Sequence, residues 1–303
     1  MYDFISTGSI SIDLYFSGKS FTFSNQRFQL AVGGKYMADH FYTGLGGGGA
    51  NVAIGVRRQG WRSAIIGIVG NNPFKKIILS KLKKEKVSDI YCDFIDNYYN
   101  ISAVLLTEKG ERSIIHYISP HRHLFSNNNR LRGITKSRFL YLGNLPDVSL
   151  TEREIFLNFF KKKSVMTAVN LGVTDCRRSK NQLKPFLDNV NILILNGHEF
   201  AELVKSPYKD INFKDDVISW YIPYLRDQIV VVTEGSKGSF VYYLGKIYYQ
   251  KADKPEKIVD TTGAGDAYTS GFLSQYLKSK DIGKSMYVGT KYATKILMRV
   301  GAN

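Results

Sequence analysis

The chain has 303 residues, 44% of them hydrophobic, which suits one large α/β domain with a sizeable core. Its 42 Lys and Arg against 26 Asp and Glu leave a charge of +16, so nucleic acid, an anionic surface and small acidic substrates all enter as partners. Cys92 and Cys176 are too few and too distant for a disulfide framework or a metal site, which points to a reducing, cytoplasmic setting. No apolar run approaches the ~18 residues of a membrane span, and Asp3 heads a strand-like start, so neither secretion nor membrane insertion is expected.

Residues 2–7 read as a first strand ending at Gly8, with Asp13 shortly after it. A carboxylate past a first strand faces the ligand edge of an open α/β sheet, where it accepts hydrogen bonds from hydroxyls; a turn or cap residue is the alternative. Residues 15–43 change to Phe, Tyr, Thr and Ser with a Gly33-Gly34 pair and predict a β-hairpin, as does the stretch 96–119 with its Lys109-Gly110 turn. Two β insertions in an α/β chain suggest a lid.

Between them lies Gly44-Leu-Gly46-Gly47-Gly-Gly49-Ala-Asn51. Gly44, Gly46 and Gly49 satisfy GxGxxG, but a dinucleotide site wants an acid about 20 residues on, and none occurs from Phe41 to Lys84. The strip reads instead as backbone approaching a substrate closely, with Asn51 opening the next helix and offering a donor and an acceptor, or simply capping it. The basic residues of this acid-free region, Arg57 to Lys84, fall at helix-surface spacing, and the expectation is a solvated face with no nucleic-acid partner.

Residues 63–69 predict a buried strand, and Pro73 suits the first turn of a helix over 74–84. Strands follow near 138–142, 166–169, 190–195 and 229–233, alternating with helices, which predicts a mostly parallel sheet covered on both faces. Asn196-Gly-His-Glu199 sits at one strand end; it reads either as a capping box or as a site where Glu199 holds Mg²⁺ through water. Thr233-Glu-Gly235-Ser-Lys-Gly238 sits at another, a place for backbone and Lys237 to border a nucleotide, or an ordinary turn. The tripeptides Gly18-Lys-Ser20 and Gly283-Lys-Ser285 lack the upstream glycine of a phosphate-binding P-loop, and His40, His116, His121, His123 and His198 show no metal-ligand spacing.

The most informative stretch is Asp260-Thr261-Thr262-Gly263-Ala264-Gly265-Asp266, running into an apolar helix. Small residues bring backbone N–H groups near a ligand and the helix adds its positive end, which makes an anion site. Asp266 is an odd choice for merely holding an anion; a proton acceptor beside a phosphoryl group explains it, with a helix N-cap as the alternative.

Taken in order, GGGGANVA at 46–53, TEKGERS at 107–113, NGHE at 196–199, TEGSKGS at 233–239 and DTTGAGDAY at 260–268 resemble the ribokinase-like (PfkB) family of sugar and nucleoside kinases. The resemblance implies a three-layer α/β/α domain over residues 1–303, a mostly parallel central sheet, and a small β lid at about 14–43 and 96–119. It also implies ATP-dependent phosphoryl transfer to a hydroxyl of a ribose- or fructose-like sugar, with a nucleoside acceptor or a catalytically inactive sensor as alternatives. Carried over by position, Asp266 is the base, and Gly263, Ala264 and Gly265 donate N–H groups to the transferring phosphate. Asp13, Gly46, Gly47 and Asn51 bind substrate; Thr233, Gly235, Gly238 and Asn196 border ATP; Glu199 organises Mg²⁺ through water. Asp260 and Thr262 match the start of a monovalent-cation site, so K⁺ is a further candidate, set in doubt because the chain stops at Asn303. Gly70-Asn-Asn-Pro73 departs from the family's Gly-Asp-x-x-Gly, and Ala168-Val-Asn-Leu-Gly172 argues against a sugar acid. Lys35 and Arg112 are lid charges that either meet a substrate phosphate or stay exposed. Pairing of two copies through the lid fits the aromatics Phe21, Phe23 and Tyr42.

Overall fold

Alternating large apolar side chains drive the central layer of the protein. The computed structural model describes residues 1–25, 27–107, 111–120, 123, 134 and 137–303. Eight strands form one sheet: β1 (Phe4–Thr7), β6 (Ser63–Ile66), β11 (Phe139–Leu142), β12 (Met166–Asn170), β13 (Ile192–Asn196), β14 (Ile229–Thr233), β15 (Ser239–Tyr243) and β16 (Lys246–Gln250), in the order β16-β15-β14-β13-β12-β11-β1-β6. Pairing is parallel from β6 to β14 and antiparallel from β14 to β16.

The period of two decides which face each side chain joins. Leu140, Leu142, Leu193, Leu195, Val230 and Val232 pack on one side against Phe156, Phe160, Phe186 and Phe200. Phe139, Tyr141, Ile192, Ile194, Ile229 and Val231 pack on the other against Val52, Val56, Phe272 and Leu273. The described helices are α1 (Gly48–Arg58), α2 (Lys75–Lys84), α3 (Leu150–Lys161), α4 (Val173–Cys176), α5 (Lys180–Leu187), α6 (Gly197–Val204), α7 (Val217–Tyr221), α8 (Ala264–Ser279) and α9 (Ile282–Leu297), besides short 3₁₀ turns, and β3 (Phe23–Ser24) and β4 (Arg27–Phe28) form a small two-stranded ribbon. The result is the three-layer α/β/α arrangement with a mostly parallel sheet.

A second sheet has the order β10-β9-β2-β5, from β2 (Ser11–Ser17), β5 (His40–Gly46), β9 (Asn100–Leu106) and β10 (Arg112–Ile118). These are the lid strands, and they reach beyond the expected segments: β2 begins at Ser11 and β5 runs on to Gly46. Asp13 therefore sits inside a lid strand, opposite Gly44 and Ser102, not in a loop after the first strand. The Lys109-Gly110 turn and His121 lie outside the described residues.

Three other expectations are corrected. The strand expected over 63–69 breaks at Gly67, where the backbone approaches Gly8; β7 (Ile68–Asn71) leaves to pair with β8 (Asp93–Asp96). Pro73 precedes α2, whose N-cap is Phe74. Phe21 is 8% exposed, whereas Phe23 and Tyr42 are exposed. Among the described residues no helix is long and apolar enough to cross a membrane.

Beneath α3 lies a buried ion pair. Arg153 gives two bonds to Asp175, at 2.6 and 2.8 Å, and Arg178 adds a third at 3.0 Å. Burial alone would raise the Asp175 carboxyl, but these donors hold it below the ordinary value. Its contribution is present above the unfolded carboxyl's pKa of about 3.9 and is lost as pH falls through the lower folded value. Asp175→Ala should cost about 3–5 kcal/mol, because it strands a buried guanidinium; urea denaturation at neutral pH measures it. Joint replacement by Arg153→Met and Asp175→Leu should recover most of the loss.

Candidate active site

The carboxyl ends of the strands, the lid and the start of α8 meet around Asp266. Gly263, the N-cap of α8, has φ 74°, and a Cβ there would come within 2.3 Å of the Ala302 Cβ, so the turn needs glycine twice over. No side chain caps this helix, and a Cβ on Gly265 would meet open space. The Gly265 side of the first turn is thus open, which suits an anion, while the Ala264 N–H makes a long bond to the Thr261 carbonyl at 3.4 Å.

Asp266 lies in the first turn of α8 and not at its cap. Asn51 Nδ2 donates to its Oδ2 at 2.7 Å, and Gly48 lies beside Oδ1, where a Cβ would stand 3.6 Å away. The helix end and the Asn51 bond both favour the charged form. Desolvation by the surrounding protein is larger and pushes the pKa up to about 6. The group is therefore mainly ionised at neutral pH and able to accept a proton.

Asn51 was expected to open its helix, but α1 starts at Gly48 and Asn51 is one turn in, 7% exposed. Its side chain points across the molecule. Its Oδ1 accepts from Asn303 Nδ2 at 2.8 Å, and the same nitrogen donates to the Leu45 carbonyl at 2.7 Å. The chain end thereby orients the asparagine that holds Asp266.

The glycine strip divides into two duties. A Cβ on Gly46 would fall 2.1 Å from Asp13 Oδ2, so this glycine makes room for a carboxylate. Gly47, at φ 89°, would strike the Ser9 carbonyl at 2.4 Å and serves the turn between β5 and α1. Asp13 is 6% exposed, accepts from Ser11 Oγ at 3.1 Å, and is raised above the ordinary carboxyl value by burial.

At the neighbouring strand ends Asn196 pairs in register with Thr233. Asn196 caps α6 and forms the capping box: its N–H donates to Glu199 Oε2 at 2.8 Å, and the Glu199 N–H donates to Asn196 Oδ1 at 2.9 Å. Glu199 is raised by burial, and burial also raises the Tyr141 phenol, with the charges of Asp266 and Glu199 adding to it. Gly235 has φ 54° with open space beside it, while Gly238, at φ 109°, is pressed against the Gln250 carbonyl. Among the described residues no group of three or more His, Cys, Asp or Glu is arranged to hold a metal ion. A cavity of about 950 Å³ beside Tyr2, Lys76 and Lys83 contains none of these residues in its wall.

Asp260 is 1% exposed and paired with Arg112 of β10 at 2.7 Å; Arg112 also donates to Thr262 Oγ1. Arg112 is thus ion-paired and not a free lid charge. Neither this pair nor Asn303 carries a local sequence signal, because the partners lie 148 and 252 positions apart.

A family profile described as "pfkB family carbohydrate kinase" matches residues 3–303. The chain is 26% identical over 300 residues to a nucleoside kinase of Methanocaldococcus jannaschii, covering 97% of this chain and 90% of that protein. It is 27% identical over 241 residues to a fructokinase of Salmonella typhimurium, covering 76% of each. In fold it is similar to a ribokinase of Arabidopsis thaliana solved with ribose and ATP, at TM-score 0.81 and 22% identity, over 99% of this chain and 94% of that one.

An NMR titration of the Asp266 carboxyl should give an apparent pKa of about 6. Asn51→Ala removes the bond that favours the anion and should move the value higher; a downward shift would contradict the balance described.

Proposed function

The chain belongs to the pfkB family of carbohydrate kinases, and from that membership we propose that it moves the γ-phosphoryl group of ATP to a hydroxyl of a small ribose- or fructose-like sugar, with Asp266 as general base. The observation that carries this reading is the Asp266 carboxylate, raised to about 6, standing in the first turn of an uncapped helix. A helix N-terminus that only bound an anion would gain nothing from a second negative charge there.

In this reading the substrate hydroxyl gives its proton to Asp266, whose Oδ2 is held by Asn51. The hydroxyl oxygen bonds to the γ-phosphorus as the bond to the β–γ bridging oxygen breaks, and ADP departs. N–H groups of Gly263, Ala264 and Gly265 face the charge on the equatorial oxygens, a role supported by the open space beside Gly265 and the uncapped helix start. Asp13, kept free by Gly46 and backed by Ser11, accepts hydrogen bonds from other hydroxyls of the sugar, with Gly47 and Asn51 lining the same side. Thr233, Gly235, Gly238 and Asn196 border the nucleotide. Glu199 fits a Mg²⁺ that travels with ATP: Oε2 is committed to the cap, Oε1 lies outside it and suits a water of the ion's shell, and the ion when bound neutralises phosphate charge.

A nucleoside acceptor is the second reading, favoured by the length over which the chain aligns with the nucleoside kinase. Exposed Phe41, Tyr42, Ile115 and Tyr117 on the lid strands support pairing of two copies there, and two free buried cysteines support a cytoplasmic setting.

Release of ADP across pentoses, hexoses, their phosphates and nucleosides identifies the acceptor. With it, kcat/KM should decline with acid below about pH 6, as Asp266 takes up its proton. Asp266→Asn should lower kcat by about 10²–10⁴-fold with ATP binding retained in calorimetry; wild-type turnover in that variant would falsify the assigned base.

A further inference from the structure

Asp260 lies six positions before Asp266 in sequence, and its surroundings differ in kind. Its Oδ1 accepts from Arg112 Nη1 at 2.7 Å, from the Thr262 N–H at 2.8 Å and from Thr262 Oγ1 at 2.7 Å. Its Oδ2 accepts from the Gly301 N–H at 3.0 Å. Every one of these groups is a donor. A bound metal cation needs the opposite, a shell of acceptor oxygens. On the β2 side, the buried Tyr15 hydroxyl stands 3.6 Å from where a Cβ on Gly301 would be, so the wall there is protein as well. The expected monovalent-cation pair, Asp260 and Thr262, therefore does not fit such an ion: its carboxylate charge is already met by a guanidinium.

We propose that Arg112 is the resident counter-cation of Asp260, making turnover independent of any monovalent metal ion and fastening the lid sheet to the loop that begins α8. A carboxylate this deeply buried cannot stay charged without a partner. Arg112 supplies that partner from β10, a lid strand, while Asp260 and Thr262 belong to the turn that sets Gly263 and the first N–H groups of α8. Arg112 is thus a positioning residue: it acts on the phosphate-facing turn through Asp260. Guanidinium suits the task better than ammonium, since its fixed fork reaches the Asp260 carboxylate and Thr262 Oγ1 together and it does not lose its charge on burial.

The proposal rests on the kinase reading for its turnover arm only. Two measurements test it, each made in KCl and in tetramethylammonium chloride at equal ionic strength: thermal melting of the substrate-free protein, and ADP release with the identified acceptor. Wild type should give the same melting temperature and the same kcat in both salts. Arg112→Ala should melt lower and lose about tenfold or more in kcat in tetramethylammonium, and K⁺ or added guanidinium should restore part of both. Arg112→Lys, which keeps the charge, should stay insensitive to K⁺ and lose less.

Wild-type turnover that collapses without K⁺, or a wild-type melting temperature raised by K⁺ specifically, would overturn the proposal. So would an Arg112→Ala protein that melts and turns over as wild type in both salts. If no acceptor yields ADP in either salt, the kinase reading fails, while the melting comparison still decides whether Arg112 meets the charge of Asp260.

Discussion

The active end of this protein depends on one electrostatic contest, between the desolvation of Asp266 and the groups that favour its charge. The first turn of α8 is a favourable place for a carboxylate, and Asn51 adds a hydrogen bond of 2.7 Å. Close packing of α1, α8 and the chain end removes more water than these contacts replace, so the pKa settles at about 6. A more exposed aspartate would be a weaker base, and a more deeply buried one would hold its proton at neutral pH.

Asp260 shows the other outcome of the same contest. Burial raises its carboxyl too, yet donors on Thr262, Gly301 and Arg112 outweigh that and hold it below the ordinary value. Two aspartates in one short loop thus separate by the number of donors each receives. One receives a single side-chain bond and can exchange a proton; the other is saturated and structural. The difference lies in partners drawn from α1 in one case and from the lid and the chain end in the other.

The lid and the α/β layers also meet through glycines whose missing side chains are filled by neighbours. Gly46 makes room for Asp13, and Gly49 lies against the Gly8 backbone, where a Cβ would come within 2.6 Å. These contacts bring β5, α1 and the loop after β1 within reach of α8. Alanine at Gly49 would displace backbone from backbone, which no rotamer change can relieve, whereas at Gly46 it would drive into the Asp13 carboxylate.

The sequence by itself determined what depends on local pattern. Continuously apolar strands of Val, Ile and Leu alternating with helices called for a mostly parallel sheet covered on both faces, since such strands need burial on both sides. The spacing from Asp260 to Asp266 made a glycine turn feeding a helix, and Asn196 with Glu199 wrote a capping box, because these interactions span only a few residues. Tertiary structure alone decided the placement of Asp13 in a lid strand and of Asn51 inside its helix. It alone joined Asn303 to Asn51 and Arg112 to Asp260. Those pairings involve residues far apart in the chain, and their energies come from burial and charge compensation, which exist only after the layers have closed on one another.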